Sequence, residues 1–276
     1  HTRYKLVTGV QTCALPIFSH VYAVLRNRIG VLVEDHAWDP YAHRVQTSKD
    51  VLSAALELVA SQGKHLLKVA LQADENTEKM HSEVVALDWQ NMLELGLDIP
   101  TGQAELLGYE YTTHTSAPVV GGRHITYHID QPVVWHTPVY GDIHPVNEAI
   151  VNLPRGGYII PAGWASVVSP YLEKHGITHH VLSRRIKALP VEELHVDEDS
   201  ISFETRTFQG RIRTSLTGDW LRAQMDIPQG SIYVPIRQPR ALLAVHLLEP
   251  VAPDSLSRWG LFNTAYEVTD HRSEEH

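Results

Sequence analysis

Glu34 is the side chain best placed to do chemistry. It nearly closes the run "RIGVLVED", Arg28 to Asp35, in which β-branched and apolar residues are bracketed by charge. Such a run predicts a buried strand of the kind found in parallel sheets, and ligands of open α/β sheets bind beyond the carboxyl ends of strands. A carboxylate there can serve as a general base. The plainer alternative is that Glu34 or Asp35 caps the next loop or is solvated. His36 is near enough in sequence to contact the same reaction site, with a structural or solvated imidazole as the competing reading. Tyr22, Arg26, Asn27 and Arg28 precede the run and are candidates to line its cleft, against an ordinary role as loop and surface residues.

Eighteen histidines invite a search for metal ligands. Between residues 18 and 271, two segments carry His-x-x-Glu spacing, "HVDE" (His195, Glu198) and "HLLE" (His246, Glu249). With 18 histidines and 18 glutamates in 276 residues, about one such spacing arises at random, and a zinc site needs a third ligand placed in space. Neither pair is expected to hold metal, and His246 reads as a residue on the side of a packed helix. His43, His179 and His180 are read as structural or solvated. Trp135, Trp164, Trp220 and Trp259 could form a platform for sugar or peptide, but separated tryptophans in a β-rich domain more often pack in a core or interface.

These residues need elements to position them. After the predicted strand, Val45, Leu52, Ala55, Leu56, Val59 and Leu66 recur at helical spacing, which predicts an amphipathic helix pausing near Gly63. The polar stretch "ADENTEKMHSE", Ala73 to Glu83, is read as a domain boundary. Beyond it, "AELLGYEYTTHTS", "GGRHITYHID" and "QPVVWHTPVYGD" alternate like strands. A helix is predicted over Gly163 to Gly176, with Gly176 at its C-terminal end, followed by strands at "ITHHVL", "SISFETRTF" and "GRIRTSL". A last helix should run from about Pro239 to Glu249, before Pro250.

The bulk properties exclude some classes. A formal charge of −9 gives no electrostatic footprint for a phosphate backbone, so no nucleic-acid partner is expected. No apolar run approaches the roughly 20 residues of a membrane span. At 43% hydrophobic and 20% charged, the composition is that of an ordinary globular protein. "VTGVQTCALPI", Val7 to Ile17, and "RSEEH", Arg272 to His276, resemble the two translated ends of a sequencing adapter. Residues 1–17 and 272–276 are therefore read as adapter-derived, and the chain between them as an internal fragment of a longer protein. Setting them aside removes Cys13, the only cysteine, and with it any disulfide or thiolate metal site.

The stretch "SHVYAVLRNRIGVLVEDHAWDPYAHRVQTSKDVLSAAL" resembles the last catalytic strand and C-terminal helix of a bacterial branch of the zinc carboxypeptidases, the carboxypeptidase A-like metallopeptidases. "PRGGYIIPAGW", "LEKHGI", "QGSIYVPIRQPRALLAVHLLEP" and "DSLSRWGLFNTAYE" resemble, in order, the region that follows the catalytic domain in that branch. The resemblance spans most of residues 20–267. Arg237 and Asp35 depart from it, standing where an acidic or neutral residue and a threonine are expected.

The resemblance implies an α/β fragment, residues 18–72, closing a catalytic domain, followed by an α+β, β-rich accessory domain at 78–270. It gives Glu34 the role of the glutamate that takes a proton from zinc-bound water and passes it to the leaving amine. It suggests Tyr22 and Arg26 as substrate contacts, His36 as a neighbour of the reaction site, a peptide substrate, and a secreted or periplasmic location. The zinc ligands and the arginine for the substrate carboxylate would lie upstream of this chain. Zinc is thus expected in the parent protein and not in the fragment, which should be inactive. A different class of reading makes the β-rich part a binding module for peptide or cell-wall glycan. A third makes the parent a degenerate member without peptidase activity.

Overall fold

A computed structural model of the chain describes residues 19–35, 39–115 and 123–266. The adapter-like ends and His36 lie outside them. The described residues form a mixed α and β structure with four α-helices and mostly small antiparallel sheets. The helices are α1 (Ser19–Leu25), α2 (Tyr41–Lys79), α3 (Ala162–His175) and α4 (Ala241–Leu248). Two long antiparallel ribbons pair Gly102–Thr115 with Arg123–Val139 and Ile186–Val196 with Gly218–Ile227. One sheet has three strands, with Ile232–Pro235 between Gly157–Ile160 and His180–Val181.

The predicted strand at Arg28–Asp35 is not a strand. These residues have no regular structure, and among the described residues no backbone hydrogen bond runs to or from residues 29–35. Ile29, Val31 and Val33 are 73%, 45% and 37% exposed. β-branched composition favours a pleated surface, but a strand exists only through a neighbour's ladder, and here no described neighbour supplies one.

The amphipathic helix forms and runs further than its apolar pattern. It passes Gly63 without a break and absorbs Ala73 to Lys79, so most of the stretch read as a boundary is helix. Ala73, Glu75, Glu78 and Lys79 there are good helix formers. Asp74 and Thr77 are also anchored by side chains from residues 27 and 28.

The described residues divide into two compact units. One takes residues from 32–63 and 89–144; the other takes 19–31, 64–88 and 145–266. Helix α2 supplies residues to both. In the second unit, Val168 and Leu172 of α3, Ile232 and Val234 of the central strand, Leu243 and Ala244 of α4, and Leu25 of α1 share one apolar cluster. A smaller cluster gathers Leu87, Ala149, Ile236 and Val245. Helix α3 ends as expected: Gly176 takes the left-handed conformation (φ 65°), and its N–H returns to the last turn. Helix α4 starts two residues later than predicted and stops before Pro250.

Candidate functional site

The sequence candidates fall into different units. Glu34 is exposed and belongs to the first; Tyr22 and Arg26 belong to the second, so no single site within a unit unites the three. Among the described residues, one buried carboxylate oxygen of Asp35 has no hydrogen-bond partner.

Tyr22 and Arg26 enter a cluster built from the ends of four helices. Helix α1 closes with a tight reversal: Asn27 adopts φ 56°, its N–H bonds the Val24 carbonyl at 2.8 Å, and the Arg28 N–H bonds the Ala23 carbonyl at 2.8 Å. This is the helix-ending pattern in which a left-handed residue satisfies carbonyls of the last turn, and Asn accepts that conformation more readily than most residues. The chain then crosses the start of α1 so closely that a Cβ on Gly30 would meet the His20 carbonyl oxygen at 2.5 Å, which excludes any larger residue.

The reversal aims two side chains at the end of α2. Arg28 grips Asp74 with both terminal nitrogens, at 3.0 and 2.8 Å, while Asn27 donates to Asp74 at 3.1 Å and to Thr77 at 2.9 Å. The Arg28 hydrogen bond is the main reason the Asp74 carboxyl sits below the usual carboxylate range, and the same bond raises the guanidinium. Arg240, immediately before α4, reaches the Arg26 carbonyl at 3.5 Å and Asp74 at 3.8 Å. Burial, then the Arg26 charge, lowers its pKa.

On the other side, Arg26 donates to the Tyr22 hydroxyl at 3.2 Å, and its guanidinium lies 5.5 Å from the centre of the Tyr22 ring. The hydroxyl lies 2.9 Å from Nδ1 of His175, the last residue of α3. A neutral ring with its proton on Nε2 accepts the hydroxyl proton at Nδ1, and one with its proton on Nδ1 donates to the hydroxyl, whose second lone pair still takes Arg26. Burial first, then Arg26 and Lys174, pushes the His175 pKa down, in keeping with that neutral form. The cluster can hold an acceptor-rich group against guanidinium donors; its only carboxylate already carries two of them.

Sequence reading reached Tyr22, Arg26, Asn27 and Arg28 but not Asp74, His175 or Arg240. The missing partners lie 47, 153 and 214 positions from the residues they bond, and no local pattern reports such distances.

The His-x-x-Glu pairs do not assemble. His195 is exposed and 3.5 Å from Glu193. His246 is buried on α4, with Nδ1 2.9 Å from the Leu242 carbonyl. Glu249 is 4% exposed and accepts a 2.7 Å hydrogen bond from the Tyr158 hydroxyl and another from the Trp220 side chain; burial raises its pKa. No group of three His, Cys, Asp or Glu among the described residues is arranged to hold a metal ion. His43 pairs with Asp39 at 3.8 Å, His179 sits on the Ile177 carbonyl, and His180 stacks on Tyr233.

The tryptophans do not share a face within one unit. Trp135 belongs to the first unit, in a long ribbon, edge-on to Tyr111 and directly over Gly108. Trp164 packs edge-on against Phe262 beside the second unit's core, Trp259 donates to Asp254, and Trp220 is 44% exposed.

No family model, curated protein or solved structure matches the chain. No helix among the described residues is long and apolar enough to cross a membrane.

Proposed function

We propose that the chain is the C-terminal part of a carboxypeptidase-like zinc hydrolase. In this reading Glu34 is the proton-transferring carboxylate, Tyr22 and Arg26 contact a peptide substrate, and His36 neighbours the reaction site. The observation that carries the proposal is the state of residues 29–35. An apolar segment with no regular structure, no backbone hydrogen bond among the described residues, and Ile29, Val31 and Val33 turned to solvent has the character of a sheet strand that lacks its sheet. Among the described residues no group is arranged to hold a zinc ion, and in this reading the ligands come from the parent's upstream region.

The test begins with the source DNA, read outward from Phe18. An upstream frame encoding His-x-x-Glu, a further histidine and an arginine supports the reading; an unrelated upstream domain or an adjacent start codon overturns it. In the extended protein, Glu34→Gln should lower hydrolysis of peptide C-termini by about 10²- to 10⁴-fold with little change in zinc content. The 276-residue chain should show no hydrolysis that a chelator abolishes and zinc restores.

One arrangement favours the second reading, a binding module for peptide or cell-wall glycan. Tyr111, Tyr127 and Trp135 form a contiguous aromatic group on one ribbon, and Tyr111 is 51% exposed. Binding to cell-wall glycan or peptide that is lost in Trp135→Ala would put this reading first.

A further inference from the structure

The cluster at the helix ends carries an unbalanced charge. Arg28 and Arg240 face the single carboxylate Asp74, and Arg240 also reaches the backbone carbonyl of Arg26, so three guanidinium groups share a network with one carboxylate. Arg28 has its acceptors: both Asp74 oxygens and the carbonyls of Arg26 and Asn27. The other two do not. A guanidinium has five N–H donors, yet among the described residues Arg26 has only the Tyr22 hydroxyl and Arg240 only two long contacts. The Arg240 side chain is 19% exposed, so much of its surface is also withdrawn from water.

We propose that Arg26 and Arg240, braced by Tyr22 and the Arg28–Asp74 pair, form a binding site for a doubly charged phosphate group. Three guanidinium groups against one carboxylate leave the network an excess of two positive charges, which matches a phosphate carrying about −1.5 to −2 near neutral pH, and planar guanidinium donors suit its oxygens. Burial and then the Arg26 charge hold the Arg240 pKa down, and an anion bound beside Arg240 would offset that repulsion. Tyr22 keeps the Arg26 guanidinium in place from one side, and its own hydroxyl is fixed by His175. The site does not depend on the hydrolase reading: phosphate binding by a chain without hydrolase activity leaves it intact.

Calorimetric titration of the whole chain with inorganic phosphate, at fixed ionic strength and pH 7.5, tests it, with phenyl phosphate as a second ligand arm. One saturable site is expected, weakened about tenfold or more by Arg240→Gln and by Arg26→Gln, and unchanged by Arg222→Gln on an exposed strand. Equal binding of both ligands points to a site open to phosphomonoesters; binding of inorganic phosphate alone points to a closed one, and either supports the proposal. Should a glutamine variant fail to fold, Arg26→Lys keeps the charge while removing the planar donor fork, and about a severalfold loss is expected. No saturable binding up to about 10 mM, equal loss in Arg222→Gln, or equal affinity for acetate overturns the proposal. The acetate result would assign the arginines to a carboxylate, as a peptide C-terminus presents.

Discussion

Every buried apolar side chain among the described residues belongs to the second unit, and none to the first. The second unit seats Val168, Leu172, Ile232, Val234, Leu243 and Ala244 in one close-packed cluster. The first has a helical stretch and a long ribbon, and there Val45, Leu52, Leu56 and Val59 on α2 are all about half exposed or more, at 49%, 61%, 62% and 56%. Both regions satisfy their backbone hydrogen bonds within helix and ribbon, so regular secondary structure alone does not create a core. Burial needs a second layer, and most of folding's favourable free energy comes from that layer.

The comparison breaks most visibly at Leu172. Leu172→Ala removes a fully buried side chain and should cost about 2–5 kcal/mol, whereas Leu56→Ala on exposed α2 should change stability by less than about 0.5 kcal/mol. Urea midpoints of the two variants read this directly; similar values would mean that Leu56 is covered in solution.

Next comes the hydrogen-bonded pair Tyr158 and Glu249, the latter just past the end of α4. Tyr158→Phe takes a donor from a buried carboxylate and should cost about 1–3 kcal/mol near neutral pH. Because burial raises the Glu249 pKa in the folded chain, the folded form holds its proton longer than the unfolded form. Stability therefore falls as pH rises through the window above the ordinary carboxyl value. Glu249→Gln should flatten that fall in urea unfolding measured from pH 4 to 8; an unchanged slope would show that Glu249 ionises as freely as an exposed carboxyl.

The smallest effect belongs to Asp74. Its folded pKa is depressed, so its contribution is fully present above the unfolded value near 3.9 and disappears as pH falls through the folded value. Arg28 is 40% exposed and water screens the pair, so Asp74→Asn should cost only about 1 kcal/mol at pH 7 and nothing at the acid end. A loss that persists at pH 2 would assign the effect to packing.

What could be read from the sequence was what neighbours in sequence determine. Gly176 marks the end of α3, and Pro250 follows the end of α4, because cap chemistry is local. The ribbon of Ile186–Val196 with Gly218–Ile227 was missed: Pro190, Glu192 and Glu193 in one strand and Asp219, Arg222 and Asp226 in the other blur the alternation of a strand with one buried face. Arg28–Asp35 fails in the opposite sense, having strand composition without a partner. At the candidate site, Asn27 and Arg28 followed a helix end that could be read locally, while Arg240 met them only through the fold.

The order of residues along the chain adds a constraint in time. Arg240 lies 214 positions beyond the Arg26 carbonyl that it contacts, and at about 5–20 residues per second a ribosome takes roughly 10–40 s to make that interval. Between the synthesis of residue 139 and that of residue 232, α2 and the first ribbon exist while α4 and the strand Ile232–Pro235 have not been synthesised. Residues 29–35 and the apolar stripe of α2 are then available to chaperones and to neighbouring nascent chains, which makes the duration of translation part of the protein's solubility.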